Sequence, residues 1–579
     1  MLKRVVGLWA AALLTVAPCA QAQERAQERA APAEHVRQSL YVPVRDGTRI
    51  AVNIYRPAAG GKALDGRRPV IFAFTPYRAR YRDEKGRVVE TALDDRLALQ
   101  SLLRAGYVVA VADIRGKGAS FGHRRGFQDR TEARDGYDLV EWLARRPYST
   151  GKVGMVGCSY LGGTTFHTAS TAPPALKAVF IGASDLDKYD FVRAGGITAQ
   201  FNTRPDEPLS VDLASLPMDA DTGGAQLRRA VAEHGQNTPM GPLWYGMPYR
   251  DSVSPLTGNR FWEEVAIYNY ARTIRDAGIA TYFWGNWHDE PTAQTILGAA
   301  NLGGKFLAGP GDHCVPPPGF DLGGEVTRYF DHYLKGVDNG IEKEPRATYW
   351  VEGLDGAGRY VRSDQLPGVE ARPLPWFLDG KAGASRQANG SLDTGPGASG
   401  TDSFTVDYDL PPADYFAFWP KPMADRGLGY ISAPLDAPMK LIGFPVAHLT
   451  VRSSDPEADL FVYLDEIGPG GEAQVIAFGR LKLANRKLSE PPYANFGLPW
   501  HSGLSKDAQP LAADEDAPVS IALTPISRAV PAGARLRFTI AGADPRQRNL
   551  KDIRRSPAPR ITLVRGGRDP SRIELPLVR

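Results

Sequence analysis

The chain has 579 residues, of which 43% are hydrophobic and 23% charged, and its 69 Lys plus Arg against 65 Asp plus Glu leave a formal net charge of +4 at pH 7. These figures exclude a disordered or fibrous chain, and so balanced a charge offers no broad basic surface to nucleic acid. The length exceeds what one hydrophobic core organises, so two or three domains are expected.

The chain opens with Lys3 and Arg4, an apolar run from Val5 to Ala17, and Ala20-Gln21-Ala22 as a small-x-small cleavage site. That layout is a secretory signal peptide over residues 1–22, cut after Ala22. An acylated Cys19 is the competing reading, opposed by Pro18 directly before it. No later stretch has the about 18 uncharged apolar residues of a membrane span. A periplasmic or secreted protein in an oxidising compartment is therefore expected. Residues 23 to 36 are polar and Ala-rich and read as a lead-in.

From RIAVNIYRP (49–57) onward, short apolar runs alternate with helical patterns. PVIFAFTPY (69–77), YVVAVADIRG (107–116), KVGMVGCS (152–159) and KAVFIGAS (177–184) are continuous β-branched and apolar runs ending in turn residues. Such runs form strands buried on both faces of a parallel sheet. Between them, DRLALQSLLRAG and RDGYDLVEWLARRP have helical spacing, giving right-handed βαβ crossovers and a doubly wound α/β domain. The sheet resumes only at ATYFWGNW (280–287) and GKFLAGPGDH (304–313), and the mostly helical stretch between reads as an inserted cap. The expected boundaries are 37–186 and 271–345 for the α/β domain, 187–270 for the cap, and 346–579 for an all-β sandwich of short strands separated by Gly, Pro and Asp. Residues 380–400 are Gly-rich and read as an exposed loop.

VGMVGCSYLGG joins a strand to a helix through small residues, the context of a nucleophile elbow in which Ser159 attacks a carbonyl. Gly157 stands two before the serine, but Leu161 holds the usual second glycine position and Gly162 follows one later. A serine nucleophile needs a base and a carboxylate to fix its tautomer, in the order Ser, Asp, His on this fold. Asp289 follows one strand and His313 the next. His288 and Asp312 are the rivals: the first precedes the last strand, and the second adjoins the histidine too closely in sequence. No metal or cofactor is called for, since His and carboxylates form no other convincing ligand cluster.

TPYRARY, ADIRGKGASFG, the elbow, GNWHD, AGPGDH and the β-rich tail with ADLFVYLDEIGPGG and FGRLKLANR resemble the family of cocaine esterase, Xaa-Pro dipeptidyl peptidases and α-amino acid ester hydrolases, the CocE/NonD type. The resemblance spans nearly the whole chain after the signal. It implies an α/β-hydrolase domain with a helical cap and a C-terminal galactose-binding-like jelly roll. It also implies Ser159, Asp289 and His313 as triad, with the Tyr77 hydroxyl and Tyr160 N–H as oxyanion hole. A small-molecule ester or amide is the expected substrate. A carboxylic-ester hydrolase leads, an α-amino acid ester hydrolase or Xaa-Pro dipeptidyl-peptidase-like aminopeptidase stands second, and a non-catalytic carbohydrate-binding protein third.

A triad that brings Ser159 to His313 brings their neighbours Cys158 and Cys314 together, within the roughly 4.4–6.8 Å Cα separation of a disulfide. The same Cys-Ser and His-Cys pairing resembles that of fungal tannases and feruloyl esterases, where it is a disulfide; two buried free thiols are the alternative. Trp244, Trp284 and Trp287 are candidate apolar pocket walls. Glu290 is a candidate amine-binding acid, though Pro291-Thr292-Ala293 does not continue the pattern of the amino-ester hydrolases.

Overall fold

The computed structural model describes residues 33–198, 206–353, 357–380, 389–411, 413–414, 417–513, 515–547 and 553–578. The expected signal peptide, 1–22, lies outside them. Among the described residues no helix is long and apolar enough to cross a membrane.

One sheet organises the first half of the chain. Its strands are β1 (His35–Pro43), β2 (Arg49–Ala59), β3 (Arg68–Thr75), β4 (Val108–Asp113), β5 (Ser149–Cys158), β6 (Leu176–Gly182), β7 (Ala280–Asn286), β8 (Lys305–Gly309), β9 (Ala347–Glu352) and β10 (Gly358–Ser363). They lie in the order β1-β2-β4-β3-β5-β6-β7-β8-β9-β10, parallel from β4 to β9 and antiparallel at both edges. Every residue of β4 is buried, because helices cover both faces: α1 (Leu99–Arg104), α2 (Arg130–Ala144) and α3 (Tyr160–Ala169) are three of them. Helix α2 starts where the Asp129 side chain accepts from the N–H groups of Thr131 and Glu132, satisfying two donors that the first turn leaves open.

The sheet runs past the expected boundary at 346. Phe306 pairs in parallel with Ala347, so β9 joins this sheet, while its last residue, Glu352, also bridges Arg528 of the C-terminal strands. The alternating burial of ATYWVE mimics a half-exposed sandwich strand because β9 sits toward the sheet's edge.

Between β6 and β7, short helices including Ala225–His234, Met240–Tyr245 and Phe261–Val265 build the cap. They close over their own core of Leu243, Trp244, Phe261 and Trp262. The C-terminal part is largely strands. One antiparallel run joins Gly427–Ile431, Arg535–Ala541, Asp459–Ile467 and Ala473–Lys482. Another joins Gly400–Thr405, Arg560–Arg565, Val446–Ser453 and Ala517–Ala522. Leu428, Leu449, Val462, Phe538 and Leu563 pack in one core shared by both runs. The segment expected as a loop at 380–400 contains a strand, Gly390–Asp393, pairing with Arg372–Asp379; residues 381–388 lie outside the described part.

Candidate active site

Strand β5 ends at Cys158 and α3 begins at Tyr160, leaving Ser159 between them at φ 61° and ψ −129°. A non-glycine residue in that region costs about 1–3 kcal/mol, and the tight turn needs small neighbours. A Cβ on Gly157 would collide with the Leu161 backbone, and one on Gly162 with the Gly182 carbonyl of β6. The second glycine therefore stands at 162, where the helix touches the next strand, and Leu161 is free to pack into the core. Gly163 N–H makes a hydrogen bond to Ser159 O at 2.9 Å, whereas Tyr160 N–H, in the first turn, has no intrahelical acceptor.

Tyr77 follows β3. Its hydroxyl lies 3.4 Å from Ser159 Oγ, and its ring meets that of Tyr160 edge-on at 6.4 Å. The loop is pinned from both sides: Tyr77 N–H donates to Thr75 Oγ1 at 3.0 Å and Ala79 N–H to Asp113 Oδ1 at 2.6 Å.

His313 Nδ1 lies 3.0 and 2.9 Å from the two carboxylate oxygens of Asp289. Donation from Nδ1 leaves Nε2 with the lone pair a general base requires. Burial pushes the Asp289 carboxyl up from its usual range, opposed by the attraction and hydrogen bond of His313. The loops carrying the two residues are joined by hydrogen bonds from Trp287 N–H to Gly309 O and His288 N–H to Gly311 O. Asn286 Nδ2 donates to Asp312 O at 2.7 Å and Val315 O at 2.8 Å, bracketing the histidine. Cys158 and Cys314 form a disulfide, with Cα atoms 5.9 Å apart. None of the described hydrogen bonds joins Ser159 Oγ to His313, whose ring stacks on Phe418 at 4.4 Å. Such contacts commonly tighten only when substrate is bound.

Ser159, Tyr77, Tyr160 and His313 line one cavity of about 610 Å³. Phe127, Met240 and Phe418 supply apolar wall. Its carboxylates are matched by cations: Asp185 to Lys188 at 2.7 Å, Glu207 to Lys117 at 2.9 Å, Asp212 to Lys117 at 3.2 Å, and Asp206 to Arg124 at 3.8 Å.

The four pocket residues expected from sequence, three tryptophans as walls and Glu290 as an amine-binding acid, are not in that lining. Trp244 stacks on Trp262 in the cap core, behind Phe127. Trp284 lies against Gly182, where a Cβ would run into its indole. Trp287 is buried and donates to Trp350 O at 2.7 Å. Glu290 pairs with Arg480 of the C-terminal part at 2.7 Å. Nearness in sequence to Asp289 says nothing about which side of the loop a side chain leaves. Of the rivals, His288 lies 3.4 Å from Glu352, and Asp312 contributes its backbone carbonyl to Asn286.

Sequence reasoning missed the polar layer under the elbow. The Tyr160 hydroxyl donates to Glu132 at 2.8 Å, Gln128 Nε2 donates to Tyr160 O at 3.0 Å, and Lys188 donates to Gln128. Burial lifts Glu132 to about 8. The one available signal was Glu132 at a position otherwise buried on α2.

Residues 46–315 match the family model of the X-Pro dipeptidyl-peptidase (S15 family), and 339–571 that of the X-Pro dipeptidyl-peptidase C-terminal non-catalytic domain. A Mycobacterium bovis protein provisionally named a serine esterase is 29% identical over 93% of this chain and 95% of its own. Cocaine esterase of a Rhodococcus species is 24% identical over 79% of this chain and 84% of its own. A CocE/NonD family hydrolase of Staphylococcus aureus superposes with TM-score 0.71 at 18% identity, covering 94% of each chain. The chain is thus a serine hydrolase with the CocE/NonD hydrolase fold and a largely stranded C-terminal non-catalytic domain. Its first half is similar to the S15 X-Pro dipeptidyl-peptidase family and its second half to that peptidase's C-terminal non-catalytic domain.

Proposed function

We propose that the enzyme is an exported carboxylic-ester hydrolase working through a Ser159-His313-Asp289 triad. The observation that carries this reading is the contact of His313 Nδ1 with both oxygens of the buried Asp289, His313 lining the same cavity as the strained Ser159. Ser159 Oγ attacks the acyl carbon while its proton passes to His313 Nε2, and Asp289 stabilises the imidazolium. The oxyanion accepts from the Tyr77 hydroxyl and Tyr160 N–H. Collapse expels the alcohol, which takes the proton from His313, and water then releases the acyl-enzyme by the same steps.

The sheet order supports an α/β-hydrolase domain, and the paired antiparallel runs support a jelly roll behind it. The disulfide accords with the export implied by residues 1–22. Esters without a free amine are favoured because each acid of the cavity already faces a lysine or arginine, Lys117 serving both Glu207 and Asp212.

A panel of acyl esters, N-free and N-blocked aminoacyl esters and Xaa-Pro amides tests the assignment. The acyl esters turn over, and Ser159→Ala abolishes both turnover and fluorophosphonate labelling. A preference for N-free aminoacyl esters or Xaa-Pro amides would replace it with the aminopeptidase-like reading.

A further inference from the structure

Glu290 follows Asp289 directly, yet its carboxylate is only 11% exposed. Arg480 Nη2 donates to its Oε1 at 2.7 Å, and Arg546 Nη1 lies 3.9 Å from Oε2. Both arginines come from the β-rich domain, Arg480 from strand Ala473–Lys482 and Arg546 from the turn after Arg535–Ala541.

Neither arginine is loose. Arg546 forks onto Asp544, which also accepts from the Tyr463 hydroxyl at 2.6 Å, and its guanidinium lies 4.2 Å from the Phe478 ring centre. The Arg480 backbone carbonyl abuts Gly195 of the cap so closely that a Cβ there would collide with it. On the other side of Asp289, His288 reaches Glu352, which shares Arg528 with Glu466 of the β-rich domain. Trp287 and Ser527 donate to the same carbonyl, Trp350 O, at 2.7 and 2.8 Å. The segment carrying Asp289 is fastened on both flanks to groups outside its own strand.

Burying Glu290 with two arginines has a desolvation cost that repays itself only through their mutual contacts, and losing one partner leaves an uncompensated charge. We propose that the β-rich domain is part of the catalytic apparatus: Arg480 and Arg546 grip Glu290 and so hold Asp289 where it meets His313 Nδ1. The three are positioning residues, since none of them lines the catalytic cavity. The proposal rests on the reading of Asp289 as the acid that orients His313.

The test uses the full-length enzyme with Arg480→Met, Arg480→Lys and Glu290→Gln, each also placed in an Asp289→Asn background. Steady-state kcat and KM are read on an aryl ester, with folding checked by circular dichroism. A displacement of about 1 Å at a catalytic group can cost on the order of 100-fold. Arg480→Met is expected to lower kcat about 10- to 100-fold with KM held within about twofold. Arg480→Lys should recover part of the loss. In the Asp289→Asn background Arg480→Met should cost nothing further. Should Arg480→Met not fold, Glu290→Gln, which keeps volume while removing charge, gives the same comparison.

An unchanged kcat in a folded variant, a change confined to KM, or a loss of equal size in the Asp289→Asn background overturns the positioning role while leaving the triad standing. An Asp289→Asn enzyme with wild-type kcat overturns the triad reading and this proposal with it.

Discussion

Replacing Tyr77 by phenylalanine removes one hydroxyl and little else. The residue is 43% exposed, so deleting its hydroxyl leaves stability within about 0.5 kcal/mol, and the ring keeps its edge-on contact with Tyr160. In the resting enzyme the hydroxyl lies 3.4 Å from Ser159 Oγ, a long neutral contact contributing at most about 0.5–1 kcal/mol. Against a developing oxyanion the same donor is charge-assisted, and loss of one such donor costs about 2.7–4 kcal/mol. The difference, about 2–3 kcal/mol, corresponds to a fall in kcat of about 30- to 150-fold. KM should stay within about twofold, because the bond strengthens only in the transition state. Steady-state hydrolysis of an aryl ester, with thermal melts on the same samples, measures all three quantities. A kcat within about threefold of wild type, or a loss expressed only in KM, would refute the oxyanion role.

Reducing the Cys158–Cys314 disulfide, or replacing both cysteines by serine, releases a link across 156 residues. The chain-entropy model puts its contribution near 5 kcal/mol as an upper limit, so Tm should drop by several degrees and kcat should fall with it; unchanged melting and turnover would count against the link. Gly162→Ala places a methyl against the Gly182 carbonyl and should destabilise the elbow by about 1–3 kcal/mol, read as lower Tm and slower fluorophosphonate labelling of Ser159. For Glu132, burial raises the carboxyl from 4.5 to about 8, so the folded state holds a proton that the unfolded chain releases. That contribution is complete below pH 4.5 and is lost as pH rises through about 8. Glu132→Gln, which imitates the protonated acid, should flatten the decline in denaturant midpoint between pH 5 and 8, and a decline as steep as wild type's would show that another group titrates.

The elbow was legible because its parts are adjacent in sequence: a buried run, a small residue, a serine and a helix. Its irregularity was not, since the need for Gly162 comes from the Gly182 carbonyl of a strand that the sequence does not mark as a neighbour. Asp289 and His313 could be named because each ends a continuous apolar strand, and consecutive strands β7 and β8 lie side by side. The tryptophans misled because an aromatic near such a residue is apolar on either side of the sheet. Trp284 faces β6 and Trp287 faces β9, away from the cavity. The true lining joins Phe127, Met240 and Phe418 from three regions of the chain, and no local pattern links them.

The same separation explains why the second half of the chain reads as an accessory and yet reaches the chemistry. Phe418 stacks on the His313 ring, and Arg480 and Arg546 hold the residue beside Asp289. Cys314 ties the His313 loop to the strand that leads into Ser159, within the first half. The Asp289 loop has no comparable covalent tie and is held by polar contacts, to the His313 loop through the Trp287 and His288 N–H groups and to the second half through Glu290. A hydrolase domain cut after β10 would lose Phe418, Arg480 and Arg546 together, the contacts by which the second half reaches His313 and Glu290.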